Sequence, residues 1–127
     1  MTKQAKLKRA AYQSQNGRCL YCKQRIWLEN PDKFARESQI TLRQAMAFLC
    51  TAEHVLPKSL GGKTNRANIA AACQCCNKRR GNLKDSVQFS QHVRRRCKAG
   101  KWHSIFPKDD GDLYVAESIN GQQNSLC

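Results

Sequence analysis

The sequence predicts a small α+β domain in which two short strands and a helix are stapled by a structural metal and flanked by basic helices. Three observations lead there. Cys19-Leu-Tyr-Cys22 and Cys73-Gln-Cys-Cys76 are two C-x-x-C pairs, 50 residues apart, a spacing suited to paired zinc knuckles. Two short strand-like runs bracket a Pro/Gly loop and lead into a helix closed by Gly81. The length, 127 residues, fits one domain over 1–127. Only 40% of residues are hydrophobic and 7% aromatic, which is thin for a fold standing on packing alone.

The elements follow in order. Residues 3–15 read as a basic helix, with Leu7, Ala10, Ala11 and Ser14 on one face and Asn16-Gly17 as its stop. Ile26-Trp27-Leu28 suits a short strand, broken at Asn30-Pro31-Asp32. Phe34 to Leu49 looks helical, with Ile40, Ala47, Phe48 and Leu49 available for packing, and 31–50 reads as an insertion. Thr51–Leu56 fits a strand, Pro57–Asn65 a loop, Asn68–Ala72 a returning strand and Cys73–Arg80 a short helix with Gly81 at its C-terminal cap. Asp85-Ser86 caps a further helix to about Lys98, with Val87, His92 and Val93 inward. Beyond Trp102 the pattern fades into turns at Phe106-Pro107 and Asp109–Gly111, and Gly121–Cys127 reads as a frayed end.

The net charge of +14, from 23 basic and 9 acidic residues, calls for a polyanionic partner. A membrane is the weaker choice, because no apolar run approaches the roughly 20 residues of a bilayer span. The basic start lacks an apolar segment after it, so it is not a secretory signal, and a cytoplasmic location is expected. In a reducing compartment the eight cysteines are poor disulfide candidates. Cys19, Cys22, Cys73 and Cys76 make a four-sulfur set, which suits tetrahedral Zn²⁺ with no open position and hence a structural role. Cys75 is an alternative to Cys76, which is preferred because it repeats the spacing of the first pair. Cys50, Cys97 and Cys127 read as free thiols.

The run Glu53-His54, Pro57-x-Ser59-x-Gly61-Gly62, Asn68, Cys73-x-x-Cys76-Asn77 and Arg80-Gly81 resembles the HNH endonuclease family over roughly residues 17–81. The resemblance implies a ββα-metal (His-Me finger) core and hydrolysis of DNA phosphodiesters. Such hydrolysis needs a proton acceptor for water and a charge sink for the leaving oxygen. His54 suits the general base, since an unperturbed imidazole is neutral near pH 7. By resemblance, Glu53, His54 and Asn77 form the catalytic divalent site, with Glu53 a ligand beside the base and the Asn77 amide oxygen completing the protein donors. In many relatives this last position is His; the oxygen donors here favour Mg²⁺ or Mn²⁺. Asn68, counted with His54 and Asn77 among the residues of catalysis, is by resemblance structural, tying the loop to the strand and orienting His54. His92 and His103 lack such company and read as ordinary helix or tail residues.

Basic residues cluster at Lys3, Lys6, Lys8 and Arg9, at Lys78, Arg79, Arg80 and Lys84, and at Arg94–Arg96, Lys98 and Lys101. The middle cluster adjoins the expected metal site and is assigned to nucleic-acid binding; Arg80, where the family often has Lys, is expected at the scissile or an adjacent phosphate. Double-stranded DNA is the favoured partner, RNA stays open, and a homodimer or larger nuclease assembly is compatible with so short a chain. The alternative is a non-catalytic, zinc-stapled nucleic-acid-binding module, which accounts for the cysteines and charge but not for Glu53, His54, Asn68 and Asn77 together.

Overall fold

A computed structural model of the chain describes residues 1–81, 85–103, 105 and 107. Lys84 and Cys127, the turn expected at Asp109–Gly111 and the end from Gly121 lie outside the described residues. At the centre is one antiparallel pair, β1 (Cys50–His54) and β2 (Ile69–Cys73), in the register Cys50↔Cys73, Glu53↔Ala70 and His54↔Ile69. α4 (Gln74–Arg80) follows β2 without a break. These three elements are the ββα core, and they carry the candidate site.

α1 (Lys3–Ser14) forms because good helix formers run uninterrupted after Thr2, whose hydroxyl caps the Ala5 N–H at 3.0 Å. It ends where Asn16 and Gly17 take positive φ. The amide of Gln15 then reaches the outer edge of β2, with Oε1 accepting from Ala71 N–H (3.0 Å) and Nε2 donating to Ala71 C=O (2.9 Å). A side-chain amide thereby takes the place of a further strand on that edge.

The single helix expected over Phe34–Leu49 is instead three short pieces: α2 (Pro31–Ser38), α3 (Leu42–Ala45) and a 3₁₀ turn at Met46–Phe48. Asn30-Pro31 starts the first piece as cap and first residue rather than breaking structure. Gln39 then turns left-handed (φ 59°), and Thr41 with Gln44 forms a reciprocal capping box that restarts the chain. Nor is this stretch a separate lobe. Phe34, Ala35, Ala45, Ala47 and Phe48 are buried in the same core as the cysteines, and the Trp27 indole donates to Ala45 C=O at 2.7 Å. The strand expected at Ile26–Leu28 reduces to a parallel bridge between Trp27 and Leu49.

α5 (Ser86–Lys98) begins at Asp85, whose carboxylate accepts from the Val87 and Gln88 N–H groups. Its inner face is Phe89, Val93 and Cys97; Val87, expected inward, is 63% exposed. The 3.6-residue period places 89, 93 and 97 in line and Val87 off it. Among the described residues no helix is long and apolar enough to cross a membrane.

The β1–β2 connection is closed from within. Asn68 extends the ladder by one step with its side chain: Oδ1 accepts from Leu56 N–H (2.7 Å), and Nδ2 donates to Leu56 C=O and Lys63 C=O (both 3.0 Å). Gly61 sits at φ +91°. At Gly62 a Cβ would stand 1.7 Å from Leu56 C=O, so only glycine allows the loop to lie against the strand end. Gly61→Ala should therefore cost roughly 1–3 kcal/mol from strain, and Gly62→Ala more, because main chain must move. Denaturant unfolding of the two variants checks this order; a smaller loss at Gly62 would mean that the loop relaxes freely.

Candidate active site and metal centre

The four cysteines meet. Cys19, Cys22, Cys73 and Cys76 are buried, with their sulfurs within 4.8 Å of one another. Tetrahedral Zn–S bonds of about 2.3 Å place sulfurs about 3.8 Å apart, and Cys22 Sγ lies 3.9 Å from Cys73 Sγ. Four buried sulfurs of this spacing fit a structural zinc. Cys75 is buried but outside the set, which decides between the two spacings in favour of Cys76. Backbone N–H groups of Tyr21 and Cys73 donate to Cys19 Sγ, and that of Cys76 to Cys73 Sγ, all at 3.3 Å. Burial raises the Cys22, Cys73 and Cys76 thiols. At Cys19 burial acts the same way, but hydrogen bonds from the other three thiols and from Cys73 N–H outweigh it and hold that thiol down. Burial also pushes Cys50 up to about 11 and Cys97 to about 12, as inert core thiols.

One residue around this centre differs from expectation, and a second had no role assigned. His103, read as an ordinary tail residue, is 2% exposed, with its ring 4.7 Å from that of Phe48 and Nε2 3.4 Å from Cys22 Sγ. Trp102 donates its indole N–H to Cys76 Sγ at 3.2 Å. The chain after α5 returns to cover the sulfurs, a contact that no local pattern in an aperiodic segment announces.

At the end of β1 a cleft of ≈ 250 Å³ is lined by Glu53, His54, Lys58, Ser59 and Asn77, with Ala52, Pro57 and Gly81. Neighbouring strand residues face opposite ways, yet Glu53 and His54, the last two residues of β1, both line this cleft. His54 Nε2 lies 3.0 Å from Thr64 Oγ1 in the loop. Asn68 holds the preceding carbonyl, Lys63 C=O, so the loop tie reaches the imidazole through Thr64. Asn77 donates Nδ2 to Thr51 Oγ1 (2.9 Å) and Ala52 C=O (3.3 Å), which commits its two protons to β1 and keeps Oδ1 as an acceptor.

Glu53 is 4% exposed, and its Oε2 accepts from Tyr21 Oη (2.6 Å) and Arg80 Nη1 (2.5 Å). Arg80 also donates to His54 C=O (3.0 Å) and, through Nη2, to Val55 C=O (2.7 Å). Burial disfavours the guanidinium charge, but the Glu53 carboxylate outweighs this and raises its pKa. Burial and Glu53 together raise the Tyr21 hydroxyl above its usual range. Arg80 is thus 3% exposed and engaged inside the protein, which removes it from the phosphate contacts expected of it. A basic residue in the last turn of a short helix looks solvated in sequence; burial here follows from Glu53 on the facing strand. Lys58 is the cationic side chain that lines the cleft instead. Lys78 and Arg79 are exposed on α4, Arg79 stacked 4.6 Å over the Trp102 ring.

The sequence model of the HNH endonuclease family matches residues 44–94. That span holds Glu53, His54, Asn68, Cys73, Cys76 and Asn77, and the fold adds Cys19 and Cys22 to it. Residues 44–94 carry the HNH endonuclease pattern, and with the cysteine cluster they support an HNH-type nuclease function for this chain. No curated protein matches its sequence. The HNH core is the ββα unit of β1, β2 and α4, with the buried four-cysteine cluster at its base, the ββα-metal architecture. Membership implies nucleic-acid binding in general terms.

The HNH nuclease should carry one zinc per chain by elemental analysis. Cys76→Ser should lose the metal and the folded state together, whereas Cys75→Ser should keep one equivalent. Zinc loss in Cys75→Ser but not in Cys76→Ser would reverse the ligand assignment.

Proposed function

We propose that this HNH nuclease hydrolyses DNA phosphodiester bonds, with His54 as general base and Glu53 and Asn77 as the protein ligands of a catalytic Mg²⁺ or Mn²⁺. The observation that carries the reading is the convergence of a carboxylate, an imidazole and an amide oxygen on one cleft, each already oriented by a second group. Nε2 of His54 is occupied by the Thr64 hydroxyl, so in the tautomer that carries its proton on Nε2, Nδ1 is the nitrogen left to take a proton from the attacking water. The donors fit a hard divalent cation, as a carboxylate and an amide oxygen do. Such a cation would neutralise charge developing on the scissile phosphate and the leaving oxygen.

Asn68 acts as a positioning residue, through the loop and Thr64, rather than on the reacting atoms. Lys58 takes the phosphate contact that Arg80 is too buried to make, and Lys78 and Arg79 extend the basic surface along α4. Lys84 adds to this cluster by sequence alone. A non-catalytic zinc module would leave the oriented imidazole and the turned Asn77 amide without a purpose.

In a supercoiled-plasmid assay with Mg²⁺ or Mn²⁺, His54→Ala should lower the cleavage rate by about 10²–10⁴. Equal rates would remove His54 from the mechanism, and cleavage restored only by a softer ion would refute the oxygen-donor site. Lys58→Ala should weaken DNA binding and reduce its salt dependence by about one counterion; an unchanged slope would place Lys58 off the phosphate path.

A further inference from the structure

Glu53 meets its partners in an unequal way. Both protein donors, Tyr21 Oη and Arg80 Nη1, sit on Oε2, and among the described residues Oε1 has no hydrogen-bond donor. An Arg–carboxylate pair ordinarily closes bidentate, with one N–H on each oxygen. Here that closure is blocked: Nη2 of Arg80 is committed to Val55 C=O at 2.7 Å, and Nη1 is shared among Glu53, Tyr21 Oη (3.1 Å) and His54 C=O (3.0 Å). The Tyr21 hydroxyl gives its single proton to Oε2 and accepts from the guanidinium, which fixes the carboxylate against rotation.

We infer that Tyr21 and Arg80 are positioning residues that clamp Oε2 of Glu53 and so keep Oε1 for the catalytic cation, and that the two zinc knuckles carry the jaws of this clamp. The inference rests on the metal reading given above. Tyr21 lies between Cys19 and Cys22, and its own N–H donates to Cys19 Sγ. Arg80 stands four residues beyond Cys76 on α4, whose first turn is capped by Cys73. Neither jaw reaches Glu53 unless the knuckles are together. The Tyr21 ring, buried and edge-on to Phe89 at 4.9 Å, keeps the hydroxyl aimed. With that hydroxyl removed, Oε2 keeps a single protein donor, Arg80 Nη1, and the carboxylate is free to turn about it, which swings Oε1 out of line for the cation.

The test is Mn²⁺ binding to the zinc-loaded full chain, followed by electron paramagnetic resonance, with zinc content measured in parallel. Tyr21→Phe should raise the Mn²⁺ Kd about tenfold or more, as loss of a group supporting a metal ligand does, while zinc stays at one per chain. If Tyr21→Phe sheds zinc, Arg80→Lys is the deciding variant. An ammonium cannot hold the carboxylate and both carbonyls in the same fork geometry, and the same rise in Kd is expected with zinc retained. Wild-type Kd values in zinc-retaining variants would overturn the clamp alone. Failure of the wild type to bind Mn²⁺, or binding untouched by Asn77→Ala, would instead overturn the cleft as a metal site and the clamp with it.

Discussion

Four sulfur atoms within 4.8 Å of one another in a dry interior are a demand as much as a contact. Burial raises three of the thiols and cannot accommodate several thiolates without a cation among them. Structural zinc at a site of this kind contributes about 10–16 kcal/mol, comparable with the ~5–15 kcal/mol net stability of a whole domain. The cluster brings the N-terminal knuckle to the start of α4, and from that junction the register of β1, the position of Asn77 and the burial of Arg80 follow.

Around that junction the residues of the cleft are held in pairs across elements. Asn77 is turned by Thr51 and Ala52, His54 by Thr64, Glu53 by Tyr21 and Arg80. Each orienting partner belongs to a different segment from the residue it orients, apart from the short loop span between His54 and Thr64. This is the supporting shell that a reactive site needs, since small misplacements of reacting groups are costly in rate. The fully buried Glu53–Arg80 pair is correspondingly sensitive, because removing one partner strands the other charge.

Much of this was legible in the residues, and the parts that were not share a cause. Local chemistry announced itself: Asp85 as a cap, Gly81 as a helix end, the paired C-x-x-C spacing, and the Glu53–Asn77 run. The capping box at Thr41 and Gln44 was equally local, but the apolar residues around it suggest one continuous helix and mask the restart at Gln39. What sequence could not show were contacts between distant segments. Arg80 reads as a phosphate contact until Glu53 faces it, Tyr21 carries no role inside its knuckle, and His103 reads as tail. Thr64 is one polar residue among several in its loop, and only the position of His54 gives it a role.

The origin of the four sulfurs also bears on the order in which the molecule is made. Two come from residues 19 and 22 and two from residues 73 and 76, with covering side chains from Trp102 and His103. A ribosome delivering the chain from its N-terminus exposes the first knuckle, α1 and β1 well before the partners that complete them. Residues 53 and 54 emerge more than twenty positions ahead of Asn77 and Arg80. Any nascent fragment ending before residue 76 lacks a tetrahedral set, and so holds the components of a phosphodiesterase without an assembled one. The assembled site thus requires the segment through Arg80, which is made after the residues it orients.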